Sequence, residues 1–154
     1  MKARAAIILI ENDKIALIER FRLGMYYLVF PGGKVKTGES SFEAAAREAE
    51  EELGLKVKIG LMVAEVWYLD SPQYYFLAEA ITGQFGHGSG SEMSSTPDSE
   101  KGSYLPVWVE VETLLNTPVL PKLMAEFVLK SYNGGWPEKP LVVTDRPPDE
   151  VVNT

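Results

Sequence analysis

Cysteine is absent from this chain of 154 residues, and histidine occurs once, at His87. No disulfide can form, and no thiolate is available for catalysis. Cytoplasmic location is the default expectation. The single histidine sits in a glycine-rich stretch and reads as an exposed loop residue. Long apolar runs are also missing: none approaches the ~18 residues that span a bilayer. The opening MKARAAIILIENDK lacks the cleavage region of a signal peptide and reads as a first strand. Positive charge is in short supply, with 15 Lys and Arg against 22 Asp and Glu and a net charge of −7. That argues against a nucleic acid polymer or a membrane surface as partner, because both attract basic surfaces. A nucleotide remains possible, since a metal ion can bridge an acidic protein and an acidic substrate.

Apolar residues make up 45% and charged residues 24%, ordinary values for a globular protein, and the length suits one domain. Ala3 to Ile10 and Ile15 to Arg20 read as a hairpin around Glu11-Asn12-Asp13-Lys14. Tyr27 to Phe30 is a short strand entering a turn at Pro31-Gly32-Gly33. Val57 to about Tyr68 and Tyr74 to Ile81 are further strands, joined by a turn at Asp70-Ser71-Pro72. Thr82 to Ser103 is rich in glycine and serine and reads as a long loop. Pro106 to Val109 is a short last strand. Leu120, Leu123, Met124, Phe127 and Val128 make a helical stripe facing the core, with Pro121 in its first turn and Gly134-Gly135 at its end. The domain is assigned to residues 1–135. The tail, 136–154, contains four prolines. It adds an edge strand at Leu141-Val142-Val143, packs across a dimer, or stays loose, so both monomer and homodimer are open.

The richest segment runs from Gly33 to Leu55, GKVKTGESSFEAAAREAEEELGL. Ser40-Ser41-Phe42-Glu43 fits a capping box. Ala44, Ala45, Ala46 and Ala49 favour helix, and Gly54 suits a left-handed C-terminal residue with Leu55 packing back. A helix is therefore predicted from about Ser41 to Leu53. It places Glu48, Glu51 and Glu52 on one face, at spacings that oppose the helix by roughly 0.2–0.5 kcal/mol per pair. A surface helix gains nothing from this unless something positive sits over it. The simplest such species is a hard divalent cation.

Gly33, Glu39 and the run Arg47-Glu48-Ala49-Glu50-Glu51-Glu52-Leu53-Gly54-Leu55 resemble the signature box of the Nudix hydrolases, with every fixed position filled at the family's spacing. Ala49 is the one departure, where the family usually has a larger aliphatic residue. The resemblance implies an α+β fold, an α/β/α sandwich with a mixed β-sheet flanked by helices. It also implies hydrolysis of a diphosphate linkage in a nucleotide, with water attacking phosphorus and Mg²⁺ or Mn²⁺ neutralising charge. Such chemistry needs positioning and charge neutralisation more than covalent catalysis. By the resemblance, Glu48 and Glu52 are metal ligands, Glu51 is a further ligand or the base, and the Gly32 carbonyl completes the metal sphere. Arg47 and Glu39 form a pair that orients the helix and its carboxylates. Glu50 points away.

Outside the box, Glu92, Asp98 and Glu100 are candidates for a further metal ligand, Glu100 being favoured for its place before the last strand. Arg20 and Arg22 follow the second strand, where the family often binds phosphate. They either contact the substrate or balance Glu19 at the surface. Asn116 stands in an Asn-x-Pro-Val context that, in the branch acting on 8-oxoguanine nucleotides, contacts the purine; alternatively it caps the last helix. Tyr26, Tyr27, Trp67 and Phe85 either stack on a base or join the core.

Three functions are weighed. The first is Mg²⁺-dependent pyrophosphohydrolysis of a nucleoside triphosphate or oxidised nucleotide. The second is cleavage of ADP-ribose or a nucleotide sugar. The third is a non-catalytic nucleotide-sensing domain. Replacing Glu51 and Glu52 by Gln separates the third from the others, because a sensor keeps its ligand affinity.

Overall fold

The computed structural model describes residues 2–90 and 100–144. In chain order the strands are β1 (Arg4–Glu11), β2 (Lys14–Arg22), β3 (Met25–Val29) and β4 (Gly32–Lys34). Helix α1 (Ser41–Leu53) follows, then β5 (Leu55–Tyr68), β6 (Ser71–Gly83) and β7 (Ser103–Glu110). A 3-10 turn over Val111–Asn116, β8 (Val119–Leu120), α2 (Lys122–Gly134) and β9 (Leu141–Thr144) complete it.

The described strands form one mixed sheet that divides at the β1–β2 hairpin into two limbs. In the first limb, β1 pairs antiparallel with β4 and parallel with β6, and β5 joins β6 to β9. In the second, β2 lies between β3 and β7, and β8 extends β3. Alternation along β1 sends Ala5, Ile7 and Leu9 to the face covered by α1, where they meet Ala44, Ala45, Ala49 and Leu53. Ile8 faces the other way, into a cluster with Phe30, Tyr75, Met124 and Val128 under α2. The sheet therefore has a helix on each face. Ala49 is fully buried, so its small side chain lets α1 sit close to β1.

Three sequence expectations are corrected. The strand expected from Pro106 starts at Ser103, because it pairs with β2 from Lys14 to Phe21, and β8 and β9 follow it in the chain. Pro106 is tolerated there because, among the described strands, β7 is an edge that pairs with β2 alone. Leu120 does not belong to the helical stripe: it lies in β8, 46% exposed, and Pro121 holds the position before the first turn of α2. Gly32–Lys34 is a short strand as well as a turn, bound to β1. Within the tail, Trp136 packs edge-on against Phe127 and β9 pairs in parallel with β5.

Candidate active site

Helix α1 carries the acidic face, and both its ends are fixed by local chemistry. Ser40 Oγ accepts from the Glu43 N–H at 3.0 Å, and Glu43 Oε1 accepts from the Ser40 N–H at 2.9 Å. At the other end Gly54 is left-handed, with φ 78°, and its N–H reaches the Glu50 carbonyl. Helices leave their last carbonyls without partners. Here the glycine-rich segment after β6 supplies donors, from Gly90 N to Glu51 O (2.9 Å), Gly86 N to Leu53 O (3.0 Å) and Gln84 N to Gly54 O (3.1 Å). Gly88 lies so close that a Cβ on it would stand 2.3 Å from the Glu51 carbonyl oxygen. The segment that reads as a long loop in sequence is, over 84–90, a cap on the turn bearing Glu51 and Glu52.

Glu48 and Glu52 are buried, at 7% and 5% exposure, whereas Glu50 is exposed. A buried carboxylate needs partners. Glu52 Oε1 accepts from the Gly32 N–H at 2.7 Å. The Glu48 carboxylate lies on Gly33, where a Cβ would stand 2.4 Å from Oε1. Only glycine fits there.

Arg47 ties the face together. Its Nε and Nη2 donate to the two oxygens of Glu39 at 2.8 and 3.0 Å, and Nη2 also donates to the Lys34 carbonyl at 2.9 Å. Nη1 donates to Glu48 Oε1 at 2.8 Å and Glu51 Oε2 at 2.7 Å. The guanidinium bonded to Glu39 holds that carboxyl down to about 2, helped by the Lys36 N–H. Glu39 in turn raises the pKa of Arg47. The positive charge that the crowded carboxylates require is thus supplied, in this arrangement, by Arg47.

The donor set also fits a hard divalent cation in kind: carboxylate oxygens of Glu48, Glu51 and Glu52, with Gly32 on the same wall. Among the described residues no three acidic side chains converge on one point. Glu51 is held toward Arg47 and Glu52 toward Gly32.

These groups open onto a cleft of about 950 Å³. Its wall holds Glu48, Glu51 and Glu52, and five cations, Arg4, Arg20, Lys34, Lys36 and Arg47. In an acidic chain, this basic lining suits a polyphosphate. Tyr27, Tyr68, Tyr75 and Tyr104 add aromatic surface. Arg20, 9% exposed, donates through Nε to the Ser103 carbonyl at 2.9 Å and through Nη2 to the Lys101 carbonyl. Its guanidinium carbon stands 3.7 Å from the Tyr104 ring centroid. It therefore holds the start of β7 while lining the cleft.

Other sequence candidates fall elsewhere. Arg22 binds the Glu100 carbonyl at 3.2 Å, and neither residue lines the cleft. Glu92 and Asp98 lie outside the described residues. Asn116 is exposed at the end of the 3-10 turn, off the cleft wall, and it does not cap α2, whose N-cap position is Pro121. Tyr26 donates to Glu19 at 2.6 Å, Trp67 donates to Glu65 at 2.6 Å, and Phe85 stacks on Trp108 at 4.7 Å. Of these four aromatics, expected either to stack on a base or to join the core, only Tyr27 faces the cleft. Sequence reasoning missed Arg4, Lys34, Lys36 and Tyr104. Lys34 and Lys36 follow directly on the glycine turn, a signal visible in the sequence, whereas Arg4 and Tyr104 reach the cleft through strand pairing.

A family model described as the NUDIX domain matches residues 1–130. The uncharacterized Nudix hydrolase YvcI of Bacillus subtilis (strain 168) is 28% identical over 127 residues, 74% of this chain and 69% of that protein. ADP-sugar pyrophosphatase of Mus musculus is 40% identical over 52 residues, which is 32% of this chain and 24% of that protein. An ADP-ribose pyrophosphatase from Streptococcus suis 89-1591 superposes with TM-score 0.64 at 18% identity, over 94% of this chain and 98% of that one. A solved MutT of Aliivibrio salmonicida or Vibrio cholerae superposes with TM-score 0.64 at 25% identity, over 84% and 96%.

Proposed function

The chain belongs to the Nudix hydrolase family, and from that premise we propose that it hydrolyses a diphosphate linkage in a nucleoside triphosphate or oxidised nucleotide with Mg²⁺ or Mn²⁺. The observation that carries this reading is the seat of Glu48 and Glu52 on Gly33 and Gly32, at the wall of a cleft that also presents Arg20, Lys34 and Lys36. Glu48, Glu52, Glu51 and the Gly32 carbonyl would hold the cation, which supplies charge neutralisation and an acidified water when bound. The chain's own residues do the rest. Arg47, anchored by Glu39, keeps Glu48 and Glu51 aligned. Glu51, the least buried of the three, is the candidate to accept the proton of the attacking water. The new bond joins water oxygen to phosphorus, and the bridging P–O bond breaks.

A second reading, cleavage of ADP-ribose or a nucleotide sugar, has specific support. Relatives named for ADP-sugar and ADP-ribose share the sequence or the fold, and Asn116 stands off the cleft wall. A screen of nucleoside triphosphates, 8-oxo-dGTP, ADP-ribose, nucleotide sugars and dinucleoside polyphosphates, with and without Mg²⁺, tests both. Preference for a triphosphate supports the first reading, and preference for ADP-ribose or a nucleotide sugar supports the second.

A further inference from the structure

Two cations face each other across the β1–β4 pair. Arg4 stands directly opposite Lys34, and on the other side of β1 it stands beside Gln73 of β6. Residues in register share a face, so Lys34, Arg4 and Gln73 form one row across three strands. All three line the cleft, and Arg4 and Lys34 are exposed.

Like charges directly opposite each other weaken a strand pair. Among the described residues neither cation is in an ion pair, whereas Arg47 pairs with Glu39, Glu48 and Glu51. Arg4 shares the cleft wall with Tyr75: burial raises that phenol, Tyr68 adds to the shift, and the charge of Arg4 opposes it. The Tyr75 hydroxyl lies 3.4 Å from Gln73 Oε1, which leaves the amide N–H₂ of Gln73 as a donor on the same row. Two cations and an amide donor, with no acid paired to either cation, make a complement to a mobile anion.

We propose that Arg4 and Lys34 form an anion subsite that takes a phosphoryl group of the substrate beyond the linkage being cleaved. The favoured substrate class is then a nucleotide bearing an additional phosphate, such as a nucleoside triphosphate, over one ending in a neutral sugar. This rests on the reading that the cleft hydrolyses a nucleotide diphosphate linkage.

Two measurements on wild type, Arg4→Gln and Lys34→Gln test it. In EDTA, so that no cation bridges, sodium tripolyphosphate raises the wild-type Tm, because an anion bound only by the folded state stabilises it. Both variants lose that rise. Without the anion, Arg4→Gln melts no lower than wild type, because like-charge repulsion is relieved. In turnover, each variant raises the KM of a nucleoside triphosphate by about tenfold or more, the worth of one charge-assisted hydrogen bond. The KM of ADP-ribose rises less than that of the triphosphate in the same variant. Equal KM changes for both substrates, or a tripolyphosphate shift undiminished in the variants, overturns the subsite while leaving the hydrolase reading intact. If wild type hydrolyses no nucleotide, the hydrolase reading fails, and the tripolyphosphate shift alone decides the subsite.

Discussion

The carboxylate of Glu48 rests on the α-carbon of Gly33, where an added Cβ would stand 2.4 Å from Oε1. The contact joins the turn after β3 to the acidic face of α1. Gly33→Ala must push Glu48 off its seat. We expect kcat to fall by about a hundredfold, the cost of displacing a site group by roughly an ångström. Circular dichroism should remain native. Unchanged kcat would mean that Glu48's position does not matter.

Arg47 and Glu39 supply a pH prediction. The carboxyl of Glu39 is held down to about 2, chiefly by its bond to Arg47. A lowered folded value contributes stability that is complete above the unfolded value near 4.5 and is lost as pH falls toward 2. The Tm difference between wild type and Glu39→Gln should therefore be constant from pH 7 to about 5 and shrink as the solution is acidified below about 4.5. A difference that grows on acidification would contradict the assignment.

The cap on α1 is tested at Gly88. Its Cβ would meet a backbone carbonyl oxygen, which cannot swing aside as a flexible side chain can. Gly88→Ala should destabilise by about 1–3 kcal/mol, the usual cost of overpacking. It should also lower kcat, because the displaced segment holds the turn of Glu51. Gly134→Ala, with nothing near the added methyl, serves as control and should melt at or slightly above wild type. Calorimetry and kinetics on the same preparations check both.

Arg20 is expected to act through the strand it holds. Lysine cannot reproduce two directed donors together with a guanidinium over the Tyr104 ring. Arg20→Lys should cost about 1–3 kcal/mol, as hydrogen bonds from charged groups do. A stability equal to wild type, measured by urea titration, would show that the bonds to the Ser103 and Lys101 carbonyls contribute nothing.

What the sequence made legible was local. The ends of α1 were readable because Ser40, Glu43 and Gly54 cap it within a few residues of chain. The alignment of Glu48, Glu51 and Glu52 followed from helical spacing alone. What stayed hidden was set by pairing between distant segments. The length of β7 depends on β2, and Pro106 misled because its edge position is a tertiary fact. Arg4 and Lys34 meet only through the register of β1 and β4, which nothing near either residue announces. Arg47 was seen as a partner of Glu39, but its bridge from Glu48 to Glu51 appears only with side chains in place.

The most direct test of the account is nucleotide hydrolysis with and without Mg²⁺, by wild type and Glu52→Gln. The account predicts Mg²⁺-dependent cleavage of a diphosphate linkage, reduced about 10²-fold or more in the variant, the cost of misplacing the reacting groups. Hydrolysis that is equal in wild type and Glu52→Gln, or indifferent to chelation of the metal, would contradict it.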